Sequence, residues 1–291
     1  MKRIVVCMKW GTLFDAKYVN VLFSAVKAHL PSMDDFICIT ENASGLHADI
    51  KAQPIPDMPL DPSYYAAGAW PKLSLFKNGV LPKDSQILFI DLDMMICGDL
   101  TRFFELPSAF YACGGSTWGA PPKSPRPAVY VRYKEAREHK KALEAKNEAR
   151  KLGYDNIDVP PNTMGSQVFT FYGDTLNGVW DNFIADPVKA RALHINEQHF
   201  LESNLDAWTA WPAGWVIHYK YNLRQPLVKD IWTHPSPPPP TASIVSFSGR
   251  PRPHELAERY ISSLKEFPHV RFGRVEWFKD YWDHHGSTAK F

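Results

Sequence analysis

Two aspartates two residues apart, Asp91 and Asp93, interrupt the apolar run Ile87-Leu88-Phe89-Ile90-Asp91-Leu92-Asp93-Met94-Met95-Ile96. Carboxylates side by side in apolar surroundings repel one another unless a cation or hydrogen-bond donors compensate them. If a strand continues through both acids, residues i and i+2 point to one side and the two groups converge. Oxygen ligands of this kind suit Mg²⁺ or Mn²⁺, which bind through one or two carboxylates while substrate phosphates complete the shell. The other reading is a strand end whose acids open a solvated loop. Four further groups could do related chemistry. Lys72 starts a short apolar helical stretch, where an ammonium opposes the helix dipole; a phosphate would account for it, and so would plain exposure. Asn162, Gly165 and Ser166 precede an alternating strand, where small and amide residues allow close approach of a ligand and offer donors to hydroxyls. Gly249, Arg250 and Arg252 follow a late strand, and arginine forks match phosphate oxygens. Glu197 and Gln198 open a helix, a position where an acid also simply suits the dipole.

The elements that would position these residues can be read in order. Residues 3–8 form an unbroken apolar strand, residues 18–29 carry apolar positions at helical spacing, and residues 36–39 form a second buried strand. Strand, helix and strand make a βαβ unit and hence the start of a parallel sheet, whose ligands sit at the carboxyl ends of the strands. That nominates Lys9, Gly11 and Thr12, together with residues 40–42, as pocket walls. A strand at 110–113, a glycine- and proline-rich loop at 114–128, a charged helix at 132–152 and strands at 168–172 and 244–247 follow. The aromatic-dense segment holding Trp208, Trp211, Trp215 and Tyr219 reads as core, although sugar rings also stack on such faces. One sheet is expected to carry the chain, without internal repeats.

The chain of 291 residues can bury a substantial core, and 45% hydrophobic with 22% charged residues is ordinary for a globular protein. A net charge of +2 argues against a nucleic-acid partner. Cys7, Cys38, Cys97 and Cys113 stand singly, without zinc-site spacing, and read as buried free thiols. The first apolar run is too short for a signal peptide and no run reaches the length of a membrane span, so a cytoplasmic location without a transmembrane segment is the expectation.

Taken in order, these pieces resemble a GT-A nucleotide-sugar glycosyltransferase, most similar to family 8, the glycogenin-like and bacterial galactosyltransferase-like enzymes. The resemblance spans residues 3–255: the βαβ start, the Trp/Lys segment, the Asp-X-Asp stretch, the Asn-X-X-Gly-Ser strand entry, the acid-Gln helix start, and a strand ending in a Gly-X-X-basic-Pro loop. It implies an α/β fold, a single GT-A (Rossmann-like) domain with a mostly parallel central sheet flanked by helices. Residues 1–255 would be the catalytic domain, with a charged helical insertion near 130–152, and residues 256–291 a helical, aromatic tail packing on it. The activity implied is transfer of a hexose from a UDP-sugar to a glycan, lipid-linked or protein hydroxyl, retaining and divalent-metal-dependent, with Mn²⁺ or Mg²⁺. Asp91 and Asp93 would hold the metal, Asp91 also touching the donor ribose. Lys72 would lie near the nucleotide or sugar, Arg252 would grip the diphosphate, and Glu197 with Gln198 would position sugar or acceptor. The family's third metal ligand is a histidine, and Ser246 stands in its place, with His218, His234 or His254 as the nearby imidazoles that could substitute for it.

Other classes share single features. A haloacid-dehalogenase-like phosphatase would use Asp91 as nucleophile and Asp93 as acid/base, but it needs a later Gly-Asp-X-X-X-Asp, which the sequence from Gly173 to Gly178 begins and does not complete. A nucleotidyltransferase would need a glycine-rich loop after the first strand, where only Gly11 stands. A relative that has lost its metal site and only binds sugar is the non-enzyme reading, suggested by Ser246.

Overall fold

The structure is a computed structural model and describes the chain except residues 59, 67, 108, 115–146, 148, 155–161, 226–232, 248, 250, 258–274 and 288–291. Strand β1 (Lys2–Lys9) leads through helix α1 (Ala16–His29) into β2 (Asp35–Thr40), paired in parallel with β1. The short strand β3 (Lys51–Gln53) extends that edge. Helix α2 (Ser63–Ala66) and a 3₁₀ turn at Trp70–Phe76 then return the chain to β4 (Ser85–Ile90), on the other side of β1. β5 (Met94–Ile96) leaves this sheet. β6 (Tyr111–Cys113) and β7 (Gly165–Tyr172) rejoin it, and helices α3 (Asn177–Ala185), α4 (Pro187–Leu193) and α5 (Glu197–Ser203) follow. The last stretch holds β8 (Thr209–Ala210), β9 (Val216–His218), β10 (Ile244–Ser246), α6 (Pro253–Ala257) and α7 (Glu276–Ser287).

The central sheet has the order β3-β2-β1-β4-β7-β6-β8. Four of its six neighbouring pairs are parallel, and β7 is antiparallel to both β4 and β6. The expected α/β architecture with a mostly parallel sheet is therefore the one found. Both faces are covered, which the unbroken apolar character of β1 and β4 requires. Val5, Cys7, Leu88 and Ile90 join the core under α1, while Ile4, Val6, Met8, Ile87 and Phe89 join the core under the 3₁₀ turn and α3. Each such side chain, fully removed from water, contributes about 1.5–3 kcal/mol before conformational entropy is counted.

A single sheet does not carry the whole chain. Among the described residues β5, β10 and β9 form a separate three-stranded sheet, β10 antiparallel to β5 and parallel to β9. Strands of three residues bring too few side chains to show a period, so their pairing follows from contacts across the chain and not from local pattern. The expected strand through both acids also ends early: β4 stops at Ile90, and Asp91-Leu92-Asp93 is the turn that crosses from one sheet to the other. Leu92 is buried in the core on this turn. The crossing is held at both ends, by the Asp91 N–H donating to the Gln167 carbonyl at 2.9 Å and the Phe247 N–H to the Asp93 carbonyl at 3.2 Å.

Helix α7 packs on α1 and buries Phe278, Trp282 and His285. His285 sits at hydrogen-bond distance, 3.0 Å, from the Ser24 hydroxyl. Burial, with the His284 and His29 imidazoles nearby, pushes its pKa down from 6.5 to about 4. A depressed folded-state value means that the unfolded chain binds the proton first, so this contribution to stability is complete above pH 6.5 and is lost as pH falls towards 4. Replacement His285→Phe should therefore flatten the decline of melting temperature between pH 6.5 and 4.5; an unchanged decline in a calorimetric scan would count against this role.

Candidate functional site

The carboxyl ends of β1 and β4 open into a cleft of about 760 Å³ lined, among others, by Trp10, Gly11, Thr12, Phe14, Tyr65, Lys72, Asp91, Asp93, Arg252 and His254. This is where a parallel sheet presents ligands, and the loop after β1 does form a wall. Gly11 turns with φ +62° and donates its N–H to the Glu41 carboxylate at 2.8 Å, so residues 40–42 brace that wall without lining it. Lys9 is buried as the last residue of β1, between the lining residues Met8 and Trp10.

Lys72 is neither exposed nor the first residue of its helix. It lies inside the 3₁₀ turn opened by Trp70 and Pro71, with 6% of its surface reached by solvent. Trp70, stacked on Phe183 at 5.7 Å, pins that turn to α3. The ammonium donates to Asp91 Oδ2 at 2.8 Å, approaches Glu197 Oε1 at 3.5 Å, and reaches the Ser166 carbonyl at 3.3 Å and hydroxyl at 3.4 Å. Ser166 in turn donates its hydroxyl to Glu197 Oε1 at 2.6 Å. Glu197 reaches this network because Asn196 caps α5 by accepting from the His199 N–H, and because the Glu197 N–H donates to the Gly68 carbonyl at 3.0 Å. Gln198 accepts weakly from the Ser166 N–H at 3.5 Å and donates to the Asn162 side-chain oxygen at 3.2 Å. Gly165 begins β7 beside them, where a Cβ would lie 2.5 Å from the Gln167 side-chain oxygen.

Electrostatics follow from this arrangement. Burial pushes Asp91 from the usual carboxylate range up to about 7, Lys72 pulling against it and Asp93 pushing with it. Burial likewise raises Asp93, opposed by Lys72 and Arg252. For Lys72 burial acts downward, and Asp91 and Glu197 outweigh it, so the ammonium is held above its ordinary value. Two acids facing a cleft, with one buried lysine between them and a glutamate, are under-compensated. That fits a divalent cation, which would take the Asp91 and Asp93 oxygens and leave the rest of its shell to water and phosphate. Among the described residues no three of His, Cys, Asp and Glu converge as a complete metal cage.

Ser246 is not in the cleft. It is fully buried in β10, in register with Met94 on one side and His218 on the other. The His218 ring accepts from the Lys220 N–H at 3.1 Å, and neither His218 nor His234 lines the cleft, whereas His254 does. Gly249 lies on the exposed loop before Arg252, with φ +81°; its neighbours 248 and 250 are outside the described residues. The segment reaches the acids because β10 pairs with β5 directly after Asp93, which is also why Arg252 and His254 enter the cleft. Tyr18, Tyr65 and Phe14 carry no local sequence signal, and of the three imidazoles named near Ser246 it is His254 that enters the cleft. Tyr18 and His254 meet across 236 positions of sequence.

Asp174, the start of the incomplete phosphatase pattern, lies at the opposite end of β4: Gly173 donates to the Ser85 carbonyl at 2.9 Å, and Asp174 pairs with Lys83 at 3.2 Å. The phosphatase reading is therefore set aside. No protein-family model and no curated protein sequence matches the chain. Solved structures do. The galactosyltransferase LgtC, in complex with donor and acceptor sugar analogs, aligns with TM-score 0.52 at 11% identity over 97% of this chain and 95% of that one. The apo glycosyltransferase GlyE of Streptococcus pneumoniae TIGR4 aligns at 0.52 and 12% identity, over 100% of this chain and 65% of its own. The bifunctional glycosyltransferase WbbM aligns at 0.52 and 13% identity, over 99% of this chain and 52% of its own. The mixed, mostly parallel sheet and its flanking helices thus have the GT-A fold of these glycosyltransferases.

Proposed function

We propose that the chain is a glycosyltransferase that moves a hexose from a UDP-sugar to a hydroxyl acceptor, with retention of configuration. The observation that carries this reading is the meeting of Asp91, Asp93, Lys72 and Arg252 in one cleft at the carboxyl ends of β1 and β4. Asp91 and Asp93 would hold Mn²⁺ or Mg²⁺, which when bound supplies positive charge to a leaving diphosphate. Arg252 would bring a second, permanent cation to the same oxygens, since charge developing in the transition state is best met by groups already in place. Lys72 would keep Asp91 and Glu197 oriented and partly neutralised. Glu197 and Gln198, braced by Ser166 and Asn162, would position the transferred sugar or the acceptor. The Trp10, Phe14 and Tyr65 rings that line the cleft offer faces on which a base can stack.

The acceptor is a glycan, lipid-linked or protein hydroxyl, and its side of the site is assigned to residues 114–128 and 132–152. Only Gly114 and positions 147 and 149–152 of these belong to the described residues. Residues 1–255 are taken as the catalytic unit; of the segment 256–291, residues 258–274 and 288–291 lie outside the described residues, and α7 packs on α1. The test is calorimetric titration of UDP into the full chain with Mn²⁺ and again with EDTA, where binding strengthened by the metal is the expected outcome.

A further inference from the structure

Resting on the nucleotide-sugar reading of the cleft, we propose that His254 donates a hydrogen bond to the diphosphate of the nucleotide, in a tautomer set by Tyr18, and does not stand in for the missing metal histidine. His254 lies two residues beyond Arg252 and lines the same cleft as Asp91 and Asp93. The entry into α6, where Arg252 precedes the helix and His254 lies in its first turn, is fastened by the Arg252 N–H donating to the buried Glu255 carboxylate at 2.8 Å. The Tyr18 hydroxyl meets the imidazole at Nδ1 and also accepts from the His254 backbone N–H at 3.4 Å.

The Tyr18 hydroxyl is almost buried, and among the described residues its own proton has no acceptor other than His254 Nδ1, so the proton is placed on that bond with Tyr18 as donor. A neutral imidazole carries one N–H, so an accepting Nδ1 places the hydrogen on Nε2. Nε2–H has no lone pair for a cation, and it is a donor to an anionic oxygen. The anchor is rigid: Tyr18 is 6% exposed on α1 and meets Phe14 edge-on at 4.8 Å and Trp282 of α7 at 5.0 Å. Arg252 lies over the same Phe14 ring at 5.7 Å. The anion side of the cleft is then a pair, Arg252 with its permanent charge and His254 with one directed N–H.

The experiment is calorimetric titration of UDP, and of uridine as the probe without phosphates, into the full chain and into His254→Ala, His254→Gln and Tyr18→Phe, with Mn²⁺ present. A hydrogen bond to a charged group is worth enough that His254→Ala should weaken UDP binding about tenfold. Uridine binding should not change. His254→Gln, whose amide can donate, should recover most of the loss, and Tyr18→Phe should show a smaller loss of the same kind. Mn²⁺ affinity without nucleotide, read by electron paramagnetic resonance, should be the same in all four proteins. Unchanged UDP affinity in His254→Ala, or weakened Mn²⁺ binding in it, overturns the assignment while leaving the nucleotide-sugar reading in place. A parent chain that binds no UDP overturns both.

Discussion

Replacing Lys72 by methionine should lower the stability of the folded chain by about 3–5 kcal/mol near pH 8, the cost of leaving buried charge without its partner. Methionine keeps most of the volume, so packing against Phe89, whose ring lies 5.2 Å from the ammonium, is largely retained. What is lost is the cation between Asp91 at 2.8 Å and Glu197 at 3.5 Å, both of which would then face one another with Ser166 as the remaining donor. The pH dependence distinguishes this from a packing defect. Asp91 already has a folded-state pKa raised to about 7. Between its unfolded value and 7 the folded chain binds the extra proton, so this group's share of stability falls as pH rises through that window. Without Lys72 the window extends upward, because the carboxylate has lost its nearest positive charge. Urea melts at pH 8 and pH 5.5 should therefore show a large deficit for Lys72→Met at the higher pH and a smaller one at the lower. Equal deficits at both would mean that Lys72 acts through packing alone.

The second large effect falls on activity and leaves the fold intact. Asp93→Asn should reduce the proposed hexose transfer on the order of 10²–10³-fold, the scale seen when one electrostatic stabiliser of a transition state is removed. Asparagine retains the shape, and the Phe247 N–H still finds the backbone carbonyl of residue 93, so the crossing between the two sheets persists. Stability should be unchanged or slightly higher at pH 7–8. Burial holds the Asp93 carboxylate above its ordinary range, and a raised acid costs the folded state stability wherever the unfolded chain would ionise it. A rise in melting temperature together with a collapse of turnover is the signature of a group kept for chemistry. Asp93→Asn that loses both together would make the acid a structural element of the turn.

The first βαβ unit was legible because each element announces its own period: apolar residues throughout 4–8, helical spacing over 18–29, and a second apolar run at 36–39. The structure extends these by a residue or two at their ends, to Lys2–Lys9, Ala16–His29 and Asp35–Thr40. The acids were legible as acids, because charge inside an apolar run is conspicuous whatever its conformation. Their geometry was not. Leu92 reads as part of a continuing strand, yet it is buried by a turn that changes sheets. That exchange depends on β5 pairing with β10 about 150 positions later, at three residues per strand. Lys72 was visible only as a cation in an unfavourable place, and the partners that explain it come from residues 91, 166 and 197. Ser246 could be aligned with a metal-binding histidine but not placed, since its burial between Met94 and His218 is a property of the small sheet. His254 followed the aligned motif immediately and stood out only as one of three imidazoles near Ser246; its partner Tyr18 belongs to α1.

The most direct test of the account is titration of UDP into the purified chain by calorimetry, in Mn²⁺ and then in EDTA. A single binding event at least tenfold tighter with Mn²⁺ is expected, because the raised carboxylates of Asp91 and Asp93 need a cation before they can share the cleft with a diphosphate. UDP binding of equal strength in EDTA would contradict the role given to the acid pair and would leave Arg252 and its neighbours as the whole of the diphosphate site. No binding in either condition would contradict the nucleotide-sugar reading itself.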